Sequence, residues 1–147
     1  MTSSQAGSGQ DSVNKAGSRV ENYSLKVGPN AEAMRVELSR FRVKPNCSGI
    51  VEEWIAFLND NMSEVLVTLE GEQMYVESIL TECIDGVDYM YWYTVQGEDG
   101  DAVENSDHWI DKKHIEYWQA CIDNAYPAVD LPSRVTMTPD RVRQLMR

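Results

Sequence analysis

From Met34 onward the spacing of apolar residues changes period several times, and each change marks an element. Met34, Val36 and Leu38 alternate with polar residues, and the phase then shifts to Phe41 and Val43. This predicts a first strand, either buried on both faces for part of its length or bulged near Ser39. Lys44-Pro45-Asn46 ends it, and Asn46 or Ser48 offers a cap for a helix. Within that helix Val51, Trp54, Ile55, Leu58, Met62, Val65, Leu66 and Leu69 form one stripe, with Gly71 as C-cap. The weakly helical Asn59-Asp60-Asn61 predicts a kink or a break.

Two β-prone runs, QMYVESILTECI and VDYMYWYTVQ, flank Asp85-Gly86. An Asp-Gly pair suits a tight hairpin because both central turn residues need positive φ. A two-residue loop then sets Ile84 opposite Val87, Leu80 opposite Tyr91, Ser78 opposite Tyr93 and Val76 opposite Val95. The other face carries Tyr75, Glu77, Ile79, Thr81 and Cys83 against Met90, Trp92 and Thr94. After the polar loop GEDGDAVENSD, a second helix is expected from about Ser106 to Asp123, capped by Ser106 or Asp107. Residues 129–137 read as a fourth strand with Pro132 at an edge or bulge, and Pro139 opens a short terminal helix.

The order β-α-β-β-α-β, with an extra C-terminal helix, predicts an α+β domain of ferredoxin-like type over residues 34–147. Its four-stranded antiparallel sheet would carry helices on one side. Both sheet faces are apolar enough to need cover, so the open one predicts a homodimer. Residues 1–33 are rich in Ser, Gly, Asn and Gln and are expected to be a disordered tail.

The run RVELSRFRVKPNCSGIVEEWIAFL resembles the opening strand and helix of the dimeric α+β-barrel superfamily. On EEWIAFLNDN, the Asp-Gly hairpin before YWYTVQG, and HWIDKKHIEYW, the chain from about Met34 also resembles a small bacterial family of unknown function. The superfamily includes cofactor-free monooxygenases, isomerases, haem-binding enzymes and proteins without a known reaction. The resemblance therefore implies a shape and a pocket location, and no particular activity.

Charge narrows the partners. The chain carries a formal net charge of −11, yet residues 1–33 sum to zero. From Pro45 through Asp111 there is no Lys or Arg, against 16 Asp and Glu with Asp111 included. Such a surface repels phosphate backbones, so nucleic acid and anionic membranes are excluded as partners. No apolar run reaches the roughly 18–20 residues of a membrane span, and no signal-peptide core opens the chain, which predicts a cytoplasmic protein. Cys47, Cys83 and Cys121 lack metal-ligand spacing and read as buried free thiols.

The chemistry available is sparse. No phosphate-binding glycine loop or nucleophile elbow is present, and neither a metal site nor a cofactor is expected. His108 and His114 are six residues apart, which does not suit two zinc ligands on one helix. His114 sits in the apolar stripe of the second helix with Ile110, Tyr117 and Cys121. It is either a core histidine holding one hydrogen bond or an acid/base group in a pocket between helices and sheet. Glu77, mid-strand beside Trp92, is either a carboxylate at the sheet rim or paired with Arg40 or Arg42, or else a carboxyl of raised pKa serving as a second proton carrier. Trp92, Tyr91, Trp118 and Tyr75 are the expected pocket walls. Two functions fit: a cofactor-independent enzyme for proton transfer, rearrangement or oxygenation of a small apolar or aromatic molecule, or a non-catalytic dimeric ligand carrier, sensor or accessory protein.

Overall fold

The first strand, β1 (Arg35–Arg42), pairs along its whole length with β3 (Val87–Gln96), from Arg35 opposite Gln96 to Arg42 opposite Tyr89. The unbroken register removes the bulge considered at Ser39. The phase shift instead reflects partial burial on both faces. These relations come from a computed structural model that describes residues 34–97 and 102–146; expectations for the tail 1–33, for 98–101 and for Arg147 lie outside the described residues.

The hairpin of β2 (Met74–Ile84) with β3 has the register expected from the Asp-Gly turn, including Leu80 opposite Tyr91 and Val76 opposite Val95. Asp85 at φ 50° and Gly86 at φ 78° supply the two positive angles. A register shift between Met74 and Val76 lifts Tyr75 out of the ladder. The fourth strand, β4 (Val129–Pro132), is shorter than expected and pairs with the outer edge of β1 before Pro132 ends it. The result is an α+β fold with a four-stranded antiparallel sheet in the order β2-β3-β1-β4.

The long helix foreseen between the first two strands is broken into α1 (Ser48–Asp60) and α2 (Met62–Gly71). The cause is local. Asn59 Nδ2 donates to the Ile55 carbonyl at 3.0 Å and Asn61 Nδ2 to the Phe57 carbonyl at 2.8 Å, competing with the helical ladder. Cys47, rather than Asn46 or Ser48, occupies the N-cap of α1, without a side-chain capping bond. Gly71 lies inside α2; Gln73, at φ 50°, takes the left-handed turn after it.

The second long helix, α3 (Trp109–Cys121), starts later than expected because Val103–Asn105 forms a 3-10 turn and His108 takes the N-cap. Its Nδ1 accepts from Ile110 N at 3.3 Å. The far end of α3 is tied to the end of β1, through Lys44 N to the Cys121 carbonyl and Asp123 N to the Arg42 carbonyl, both 2.8 Å. A short α4 (Asp140–Arg143) follows Pro139.

The core lies between the helices and one sheet face, around Val43, Val51, Trp54, Met90, Cys121 and Ile122. Of the three free thiols only Cys121 is fully buried; Cys83, near the hairpin tip, is exposed, contrary to expectation. The opposite sheet face presents Leu38, Tyr91, Tyr93 and Leu131, with Leu80 53% and Leu131 46% exposed. No helix among the described residues is long and apolar enough to cross a membrane.

Candidate ligand cavity

The apolar stripe running along α1 and α2 serves two purposes. Val51 and Trp54 enter the core, whereas Leu58, Met62, Val65 and Leu69 line a cavity of about 850 Å³ between the helices and the sheet. That volume is ample for a small organic ligand. Its floor is the helix-side sheet face, where Glu37, Thr94 and Glu77 form one row and Ser39, Trp92 and Ile79 the next. Its wall is α3, through Ile110, Asp111, His114 and Trp118.

Trp92 and Trp118 meet with ring centroids 5.8 Å apart at 60°. Behind them Trp54, fully buried, packs at 5.5 Å from Trp92. Its Nε1–H donates to His114 Nδ1 at 3.1 Å. That bond makes Nδ1 an acceptor, so the imidazole proton resides on Nε2. Burial lowers the His114 pKa to about 4, against a smaller upward pull from Asp111. The ring is therefore neutral at pH 7. It can offer a hydrogen bond to a ligand but holds no spare proton to give as an acid.

Glu77 accepts from Trp92 Nε1–H, its diagonal neighbour across the hairpin. Neither arginine considered as its partner is engaged with it: Arg40 lies over the Tyr89 ring and Arg42 over Tyr126. Burial raises the Glu77 pKa, the Trp92 bond opposes that rise and the Asp111 charge adds to it. Glu72, in the turn after α2, is pushed up to about 7 by burial and then by Glu77, Asp111 and Glu104. All four of these carboxyls line the cavity.

Asp111 is the least expected member. It is only 6% exposed, and its Oδ2 has no hydrogen-bond partner among the described residues. Thr94, 8% exposed on the floor, likewise has an unpartnered Oγ1. The signal for Asp111 was present in the helical wheel, three residues before His114 and seven before Trp118. Glu72 had no such signal, because a turn has no periodicity to read.

Of the residues singled out from sequence, the structure brings His114, Glu77, Trp92 and Trp118 to this cavity. Tyr91 is not among its lining residues: it points to the opposite sheet face, where its hydroxyl donates to Glu82 Oε2 at 2.6 Å. Tyr75 is displaced by the register shift in β2, and Met74 lines the cavity in its stead. Among the described residues no three His, Cys, Asp or Glu side chains are placed to share a metal ion.

Residues 34–144 match a family of unknown function (DUF6176), and the chain belongs to that family. No curated protein matches the chain.

Proposed function

We propose, for a family that carries no assigned activity, that this protein binds a small organic molecule between its sheet and its helices. One observation carries the reading: an 850 Å³ cavity joins an indole wall to buried polar atoms that lack partners. Buried polar groups are normally satisfied, and a concave space that joins indoles to such groups has the composition of a small-molecule site.

A second reading, acid–base catalysis without a cofactor, is favoured by the carboxyl at about 7. A group poised there exists in both protonation states at neutral pH, which suits proton transfer. In this reading Glu72 and Glu77 are the proton carriers and His114, neutral, donates from Nε2 to orient the substrate.

The strand order β2-β3-β1-β4 supports a ferredoxin-like arrangement, and the apolar open face supports a homodimer of the α+β-barrel kind. A metabolite library screened by thermal shift, with product analysis of each hit, tests both functions. A ligand at 100 times its Kd adds about 2.7 kcal/mol and raises the melting temperature. Binding without conversion supports the carrier, conversion lost in Glu72→Gln supports the enzyme, and a library without hits overturns both.

A further inference from the structure

The cavity is acidic in a specific way. Among the described residues five carboxyl side chains line it, Glu37, Glu72, Glu77, Glu104 and Asp111, against one guanidinium, Arg35. Arg35 is already paired, its Nε 2.9 Å from Glu37 Oε1. Among the described residues the other four have no ion-pair partner. All four come from the stretch between Pro45 and Asp111 that contains no Lys or Arg.

Asp111 adds an observation independent of charge count. Its Oδ2 is buried and unpartnered, on a side chain that lines the cavity. That oxygen is already shut off from solvent, so an apolar ligand leaves it uncompensated and an anion would be repelled by it. A ligand that brings N–H donors and positive charge satisfies it. The neighbouring indoles suit the same ligand, since their faces attract cations while their bodies pack apolar surface. A bare metal ion is a poor occupant, because no three potential ligand side chains among the described residues are placed around one point.

We propose that the cavity takes an organic cation, an ammonium on an apolar or aromatic body, with the charge balanced by the acidic lining that includes Asp111, Glu77 and Glu72 and the body against Trp92 and Trp118. This assignment rests on the small-molecule reading above and names its ligand class. The raised pKa values of Glu72 and Glu77 agree with it, since crowded carboxyls without cations are the state such a ligand relieves.

The test uses the full chain and a matched panel. Arylethylamines from phenyl to naphthyl size are titrated beside their alcohol and carboxylate counterparts, following the indole N–H resonances of Trp92 and Trp118. The amines are expected to bind at least about tenfold more tightly than either counterpart. Asp111→Asn and Glu72→Gln should each weaken the amines by about tenfold while leaving the alcohols unchanged. If Asp111→Asn fails to fold, Glu72→Gln, in the half-buried turn, decides the matter alone. Alcohols or carboxylates binding as well as amines overturn the cation assignment and leave the cavity reading standing. No perturbation of either indole by any compound overturns both.

Discussion

Trp54 and His114, sixty residues apart, are joined by a hydrogen bond from the indole N–H to Nδ1 at 3.1 Å. The bond links α1 to α3 at the back of the cavity and selects the His114 tautomer. Removing the acceptor would leave a fully buried indole donor unsatisfied. His114→Ala is expected to cost about 2–4 kcal/mol in urea denaturation, combining the lost bond with the space left behind. His114→Asn, which keeps an acceptor near the Nδ1 position, should recover part of that loss. A His114→Ala protein as stable as the wild type would show that the bond does not hold the helices together.

Glu72 and His114 make opposite contributions to the pH dependence of stability. The Glu72 carboxyl, raised from 4.5 to about 7, lets the native state keep a proton that the unfolded chain releases. Its stabilising contribution is complete below pH 4.5 and is lost as pH rises through about 7. Glu77 acts in the same direction. His114, lowered from 6.5 to about 4, stabilises above 6.5 and loses that contribution as pH falls through about 4. The groups facing Glu72 across the cavity are Glu77 on β2, Asp111 and His114 on α3, Glu104 in the 3-10 turn, and the paired Arg35 and Glu37 on β1. Glu72→Gln should therefore match the wild type near pH 4.5 and exceed it by about 1–2 kcal/mol above pH 7, after solvent screening. A difference that does not grow with pH would show that Glu72 is not held protonated.

The open sheet face offers a test of assembly. On that face Leu80 of β2 stands opposite Tyr91 of β3, and Leu131 of β4 stands opposite Leu38 of β1. If two copies pair there, sedimentation at micromolar concentration gives a dimer. Leu80→Glu with Leu131→Glu should then yield a folded monomer, since buried unpaired carboxylates disfavour association. A wild-type monomer at that concentration removes the homodimer.

Two glycines should respond in opposite directions to alanine. Gly86 sits at φ 78° in the hairpin turn, so Gly86→Ala should cost about 1 kcal/mol and loosen the strand register. Gly71 lies within α2, and a Cβ there meets no atom within 4 Å. Gly71→Ala should stabilise by about 0.5–1 kcal/mol, through helix propensity and a less flexible unfolded chain. Thermal melts of the two variants measure both signs.

Local order was legible in the residues themselves. The Asp85-Gly86 pair determined the hairpin register, because turn geometry and a two-residue period leave no freedom once the loop length is set. The apolar stripe located α1 and α2, and the asparagines at their junction marked the break. The concentration of acid without a balancing base between Pro45 and Asp111 was likewise visible. What the stripe could not say was whether each apolar residue met core or cavity; that depends on the space between elements. The two-residue period already set Tyr91 on the face away from Trp92. Only the tertiary structure took Tyr75 out of the ladder, gave His114 its indole donor and brought Asp111 into one cavity lining with Glu77 and Glu72. Periodicity encodes the side of an element on which a residue stands. The partner it meets across the fold is decided by packing, and burial and neighbouring charge there decide its protonation.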